Sequence, residues 1–88
     1  MNDIDRRNIP TLSAVLPAVA YHSEGSACGL LALHARVVSG CREAGLPRFG
    51  IRALVRLLAA LGYEVRETES GGEVVGLKLT GRYAGNRR

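Results

Sequence analysis

The stretch LPRFGIRALVRLLAALGYEVRETESGGEVVGLKL, residues 46–79, holds one helical pattern followed at once by two alternating patterns. Over residues 48–61 apolar side chains recur at intervals of three and four, and Gly62 follows as a helix stop. The segments YEVRET and VVGLKL then alternate, and the ESGGE between them supplies glycines for a chain reversal. The stretch therefore predicts a helix over 48–61 and a two-stranded β-hairpin after it.

Two more helices are predicted upstream of this stretch. From Leu30 the apolar residues again recur at threes and fours, and this pattern ends at Gly45. Before it, PTLSAVLPAVAYH predicts a helix over 12–21 with Thr11 or Ser13 as its N-cap. The intervening SEGSACG has turn composition and is also compatible with an edge strand of one or two residues.

The order of these elements predicts the fold class. A chain of 88 residues holds one small domain, and we expect a flexible N-terminal arm at 1–10, the domain at 11–81 and a basic flexible tail at 82–88. Helix, turn segment, helix, tight corner, helix and hairpin follow one another in the α+β fold of the winged helix-turn-helix type, with the hairpin as the wing. The helix at 48–61 would be its recognition helix.

The run from Gly29 to Gly81 resembles the winged-helix module at the C-terminus of phage and plasmid primase-helicases of superfamily 3. In that family a helix closes with an "L..LG[YF]" pattern and is followed by an "E.R" strand, a glycine-containing turn and a "GL.L" strand. The matching residues here are Leu57, Leu58, Leu61, Gly62, Tyr63, Glu64, Arg66, Gly71, Gly72, Gly76, Leu77 and Leu79. The chain has no Walker motif and no primase carboxylates, so the resemblance does not imply the helicase or the primase activity of that family. What it implies is nucleic-acid binding in mobile-element replication.

The arginines of the third helix are the first candidates for DNA contacts. The chain has a net charge of +4, and all but Lys78 of its 12 cationic residues are arginines, whose planar fork suits phosphates and guanine edges. Arg48, Arg52 and Arg56 lie four residues apart on the flank that the apolar stripe leaves open, and no acid occurs between Arg48 and Tyr63. We expect Arg48 to reach a phosphate or a base, and Arg52 and Arg56 to face the major groove and to form bidentate contacts with guanine. A solvated helix face is the alternative interpretation.

The wing offers weaker candidates. Arg66, Lys78 and Arg82 are placed to touch the DNA backbone from the strands, although a cross-strand ion pair of Arg66 with Glu73 is equally compatible with the pattern. Acidic residues surround the wing tip and repel phosphates, which argues against deep insertion of the wing; they are Glu67, Glu69 and Glu73.

No cofactor, metal or catalytic group is expected. His22, Cys28, His34 and Cys41 are competent zinc ligands, but no CxxC or HxxxH pair brings two of them together, and buried side chains are the simpler explanation. There is no phosphate-binding loop, no dinucleotide fingerprint and no paired-carboxylate motif, so the chain is not expected to be an enzyme.

The N-terminal residues MNDIDRRNIP lack the apolar core of a signal peptide, and no apolar run reaches the roughly 18 residues that cross a bilayer. Two cysteines without an export signal suggest reduced thiols, so a cytoplasmic location without membrane contact is expected.

These features together predict a protein that binds double-stranded DNA in a plasmid, a phage or a related element. It would serve as a replication accessory, an origin-binding factor or a local transcription regulator, and replication proteins are further candidate partners. A homodimer through the first helix or the N-terminal arm is also expected, since single modules bind weakly. The first alternative is a protein-interaction adaptor that docks through the apolar helix 12–21. The second is a protein that recognises the shape of RNA or of branched DNA.

Overall fold

The structure, a computed structural model, describes residues 2–80 and contains three α-helices and one antiparallel sheet. The elements in chain order are α1 (Asp3–Val19), β1 (Ala20–Gly29), α2 (Leu30–Ala44), α3 (Ile51–Ala60), β2 (Glu64–Arg66) and β3 (Glu73–Leu79). The sheet has the order β1-β3-β2, with β3 in the centre. The predicted α+β class and the three helices are confirmed, but the sheet has three strands and not two. The predicted tail at 82–88 lies outside the described residues.

The helix α1 starts much earlier than the sequence pattern suggested. Residues 3–10, predicted to be a flexible arm, form the first half of this helix, so that prediction is wrong. Asn2 is the N-cap, and its side-chain oxygen accepts a hydrogen bond from the Asp5 amide at 2.7 Å. Asp3 and Asp5 lie in the first turn, where a carboxylate stabilises the positive end of the helix dipole.

Both prolines of α1 lie inside the helix. Pro10 and Pro17 each lack the amide hydrogen of a regular helix, yet the helix continues past both of them to Val19. Thr11 and Ser13, predicted to be alternative N-caps, are therefore internal residues. The tertiary packing of the apolar stripe outweighs the local preference for a break, because Leu12, Val15, Leu16 and Val19 are all buried.

The strand β1 is longer than the one or two residues anticipated for this segment. It pairs antiparallel with β3 in two runs of three residues, 20–22 and 27–29, and the register shifts between them. Residues 23–26 bulge out opposite the single residue Gly76, and the Ser23 and Ser26 hydroxyls share a hydrogen bond of 2.9 Å across the bulge. A hydrogen-bond partner on β3 converts this turn-like sequence into an edge strand.

The corner between α2 and α3 is held by the core. The helix α2 ends at Gly45 as predicted, but α3 begins at Ile51 and not at residue 48, since residues 46–50 are not helical. The side chain of Phe49 is buried, and the Nε2 atom of His34 lies 2.9 Å from the Phe49 carbonyl oxygen, to which it donates. The corner is therefore anchored by one apolar and one polar contact.

The loop between β2 and β3 spans residues 67–72 and is tied to the start of α2. The Leu30 amide donates to the carbonyl of Gly72 at 2.9 Å, and the Gly72 amide donates to the Thr68 hydroxyl oxygen at 3.1 Å. The Leu30 amide is one of the first-turn donors of α2 that lack a partner within the helix. This loop thus replaces the missing side-chain cap of α2.

One core joins all the elements, and aliphatic side chains from the three helices and the sheet fill it. Its largest fully buried members are Leu12, Leu33, Leu54, Leu57, Leu58, Leu77, Val19, Val37, Val74 and Cys41. Within residues 2–80, no helix combines the length and the hydropathy that a bilayer crossing requires.

Gly40 of α2 packs closely against α1. A Cβ atom added there would lie 2.6 Å from the Cγ1 atom of Val15, and valine is a stiff side chain with little room to move. We expect Gly40→Ala to lower the free energy of unfolding by about 1–3 kcal/mol, although alanine is the better helix former, because overpacking outweighs propensity. Chemical denaturation of Gly40→Ala and of the double variant with Val15→Ala measures this, and the double variant should recover part of the loss. Equal or greater stability of Gly40→Ala would contradict the close approach.

Candidate nucleic-acid interface

The outer face of α3 carries two arginines and no acid. Leu54, Leu57 and Leu58 are buried against the core, whereas Arg52 and Arg56 are exposed on the opposite side. They lie one turn apart, about 6 Å along the helix axis. The structure therefore brings these two predicted residues onto one face.

Arg56 is paired with an acid that the sequence pattern did not connect to it. Its Nε atom lies 2.6 Å from Oδ2 of Asp5, and its Nη2 atom lies 3.0 Å from Oδ1 of the same residue. Asp5 is 2% exposed, while the Arg56 side chain keeps 52% of its exposure. This two-point ion pair joins the first turn of α1 to the middle of α3, so the absence of acids within α3 itself does not leave Arg56 unpaired.

The Asp5–Arg56 pair makes part of the stability depend on pH. The hydrogen bonds from Arg56 lower the pKa of Asp5 below its ordinary value of 3.8, against the opposing effect of burial. A lowered folded-state pKa stabilises the fold above the unfolded-state pKa, and this contribution is lost as the pH falls through the folded-state value.

We expect Asp5→Asn to lower the melting temperature at pH 7 by several degrees, because the amide cannot replace the charge opposite Arg56. The difference in melting temperature from the parent protein should narrow below about pH 4, where the carboxylate of the unfolded parent becomes protonated, and should be smallest below the lowered pKa of the folded state. Thermal melts from pH 2 to 7 measure this difference, and Asp3→Asn, an exposed residue of the same turn, is the matched control. A difference that stays constant over this range would show that the shape of the side chain matters and its charge does not.

Arg48 lies in the corner and not in the helix. It borders an open cleft of about 400 Å³ together with His34, Val38, Phe49 and Gly50. Its neighbour Phe49 is fixed in the core, so the backbone that carries Arg48 is well positioned just before the first turn of α3. The structure places this predicted residue beside the N-terminus of α3, which has no acid in its first turn and no side-chain cap.

The predicted wing contacts do not form one surface. Arg66 forms an ion pair with Glu73 across the β2–β3 ladder, so the cross-strand interpretation of Arg66 is the one observed. Lys78 is exposed and lies opposite Tyr21 on β1, five residues from Glu73 and about 16 Å along the strand. Arg82 lies outside the described residues.

Two residues with long-range contacts, Asp5 and Arg36, were not identified from the sequence. Asp5 was assigned to a flexible arm, although Asn2 followed three residues later by an acid is the start signal of a helix. Arg36 of α2 donates a hydrogen bond to the carbonyl of Thr80 and so ties α2 to the end of β3. That contact spans distant parts of the chain, and no sequence pattern indicates it.

The four residues considered as zinc ligands are dispersed. Cys28 and Cys41 are buried free thiols, and burial raises the pKa of both. His34 is engaged with the Phe49 carbonyl, and His22 packs near Gly76. Over residues 2–80, no three side chains of His, Cys, Asp or Glu are grouped closely enough to hold a metal ion.

The apolar stripe of α1, which the adaptor alternative would use, is occupied within the chain. Its large side chains face the core, and the exposed remainder of 12–21 consists mainly of small residues beside a groove of about 320 Å³ between α1 and α2. Tyr21, which is half exposed, belongs to β1 and not to the helix.

Comparison of the chain with protein-family models, with curated proteins and with solved structures finds no match.

Proposed function

We propose that this chain is a winged-helix domain that binds double-stranded DNA, with α3 as its recognition helix. The observation that carries the proposal is the outer face of α3, where Arg52 and Arg56 are exposed and to which the helix itself contributes no acidic residue. A helix packed on one side and cationic on the other is suited to enter the major groove.

The topology supports this proposal. A winged helix has three helices, a strand between the first two and a hairpin after the third, and the element order α1-β1-α2-α3-β2-β3 with the sheet order β1-β3-β2 is compatible with it. In such an arrangement the hairpin braces the recognition helix from one side, while α1 and α2 support it from behind. The β2–β3 loop would then be the wing.

The distribution of charge supports contact through α3 more than through the wing. Arg48 and Arg52 have no acidic partner among the described residues, whereas Arg66 is neutralised by Glu73 and further acids line the wing loop. Phosphates are attracted to unpaired cations and repelled by carboxylates. We therefore place the backbone contacts of Arg48 and Arg52 at the centre of the interface, with Lys78 at its margin.

Fluorescence anisotropy of a labelled mixed-sequence duplex, titrated with the protein across a salt series, tests the proposal. Two to four arginine contacts predict a slope of about −2 to −4 in log binding constant against log salt. A single strand of the same length, a branched duplex and an RNA duplex are the comparison probes. Tighter binding of one of these comparison probes, or no binding of the DNA duplex at low salt, would count against the duplex as ligand.

The resemblance to the primase-helicase module suggests a role in plasmid or phage replication or in local transcription control. A protein-interaction adaptor of a replication complex is the rival function. The burial of the α1 stripe takes away the surface that favoured it, so the adaptor gains support only if no nucleic acid binds.

A further inference from the structure

The contact between Asp5 and Arg56 uses only one edge of the arginine. A guanidinium has five N–H donors, and Asp5 accepts from Nε and from one hydrogen of Nη2. The tip of the group keeps one hydrogen on Nη1 and one on Nη2, which point away from Asp5 in the plane of the guanidinium. Within residues 2–80 no acceptor meets this tip edge, and half of the side chain is exposed.

Asp5 is held rigidly, so it fixes the arginine that it binds. Its side chain is buried, and its own amide donates to the Asn2 cap at 2.7 Å. Two hydrogen bonds to a planar group define both its position and its orientation. Arg56 is therefore ordered before any ligand arrives, whereas Arg52, one turn earlier, has no acidic partner in the described part of the chain.

The pairing with Asp5 cancels the charge of Arg56 but leaves two of its hydrogen-bond donors in place. Asp5 cancels the net charge of Arg56, so this arginine adds little to the attraction of phosphates. Its remaining two-donor edge is unaffected, and that edge matches the O6 and N7 acceptors of guanine in the major groove. An ordered neutral pair is thus better suited to a base edge than to a phosphate.

We propose that Asp5 is a positioning residue that holds Arg56 as a fixed two-donor fork for the O6/N7 edge of a guanine base. Arg56 then supplies base preference, while Arg48 and Arg52 supply attraction to the backbone. This inference rests on the proposed function, since it requires α3 to lie in the major groove.

The test compares a G·C-rich duplex with the same duplex carrying 7-deazaguanine at every guanine. The substitution removes the N7 acceptor and leaves the charge and the base pairing unchanged. We expect the parent protein to bind the natural duplex about ten-fold more tightly. Asp5→Asn and Arg56→Lys should each reduce this preference to less than about two-fold.

Two variants make the test robust. Arg56→Lys keeps a positive charge beside Asp5 at a half-exposed position, so it carries the test if Asp5→Asn does not fold, as judged by circular dichroism. Arg52→Lys is the matched control, because it makes the same exchange on the same face at an arginine that no acidic residue of the described part of the chain holds in place. It should keep the preference within about two-fold of the parent value.

Several outcomes would overturn the inference while leaving DNA binding intact. The first is equal binding of both duplexes by the parent protein, and the second is an unchanged preference for the natural duplex in Asp5→Asn. The third is a loss of this preference in Arg52→Lys that equals the loss in Arg56→Lys. The fourth is tighter binding of the natural duplex by Asp5→Asn, which would show that Asp5 keeps Arg56 away from the base. If the parent protein binds neither duplex at any salt concentration, the proposed function fails and the inference fails with it.

Discussion

The double variant Arg48→Ala, Arg52→Ala is expected to bind a mixed-sequence duplex about 10- to 100-fold more weakly than the parent protein at about 50 mM salt. Each arginine that contacts a phosphate releases a condensed counterion, and two lost contacts should reduce the magnitude of the salt slope by about 2. Both side chains are exposed, so the fold should be unaffected. Anisotropy titrations over a salt series measure the affinity and the slope in one experiment.

The matched control removes the same net charge elsewhere. Arg6 and Arg7 are exposed on α1, and Arg6→Ala, Arg7→Ala is expected to change the slope by less than half as much as the α3 double variant. Equal effects in the two double variants would show that the duplex responds to overall charge and not to the outer face of α3. In that case the recognition helix has to be sought elsewhere on the molecule.

Leu58→Ala is expected to produce the largest loss of stability. Leu58 is 0% exposed at the centre of the core, and truncation of such a leucine costs about 2–5 kcal/mol through lost burial and a cavity. A domain of this size has a total stability of about 5–15 kcal/mol. The melting temperature should therefore fall on the order of 10–30 °C, as followed by circular dichroism.

Leu61 provides the control for that experiment, because it has the same side chain three residues later and is 39% exposed. We expect Leu61→Ala to cost less than about 1 kcal/mol, since much of its surface already meets water. A similar loss in both variants would mean that Leu61 is covered in solution, as it would be in a dimer that uses this end of α3.

Local patterns predicted the helices α2 and α3 and the outward positions of Arg52 and Arg56 well, whereas Arg48 lies before the helix that was predicted to contain it. The spacing of the buried leucines in α3 fixes which side of that helix faces outward, and Gly45 fixes where α2 ends. These are short-range properties, and a single sequence contains them.

Long-range contacts account for what was missed. The segment 20–29 is a strand only because β3 supplies hydrogen-bond partners about fifty residues away, and the first half of α1 is held in part by the Arg56 contact. Pro10 and Pro17 weakened the helical pattern there, and packing of the apolar stripe overrode them. The partner of Arg56 could not be predicted from the sequence of α3 alone either, because that partner, Asp5, lies in α1.

The bulge at residues 23–26 has a consequence for how the molecule behaves at high concentration. β1 is an edge of the sheet, and a regular edge of ten residues would be a template for addition of a strand from another chain. The bulge divides the strand into two runs of three paired residues, so an incoming strand could follow its hydrogen-bonding groups over only one short run at a time. The same four residues that break the register with β3 thus protect the domain against fibril-like association.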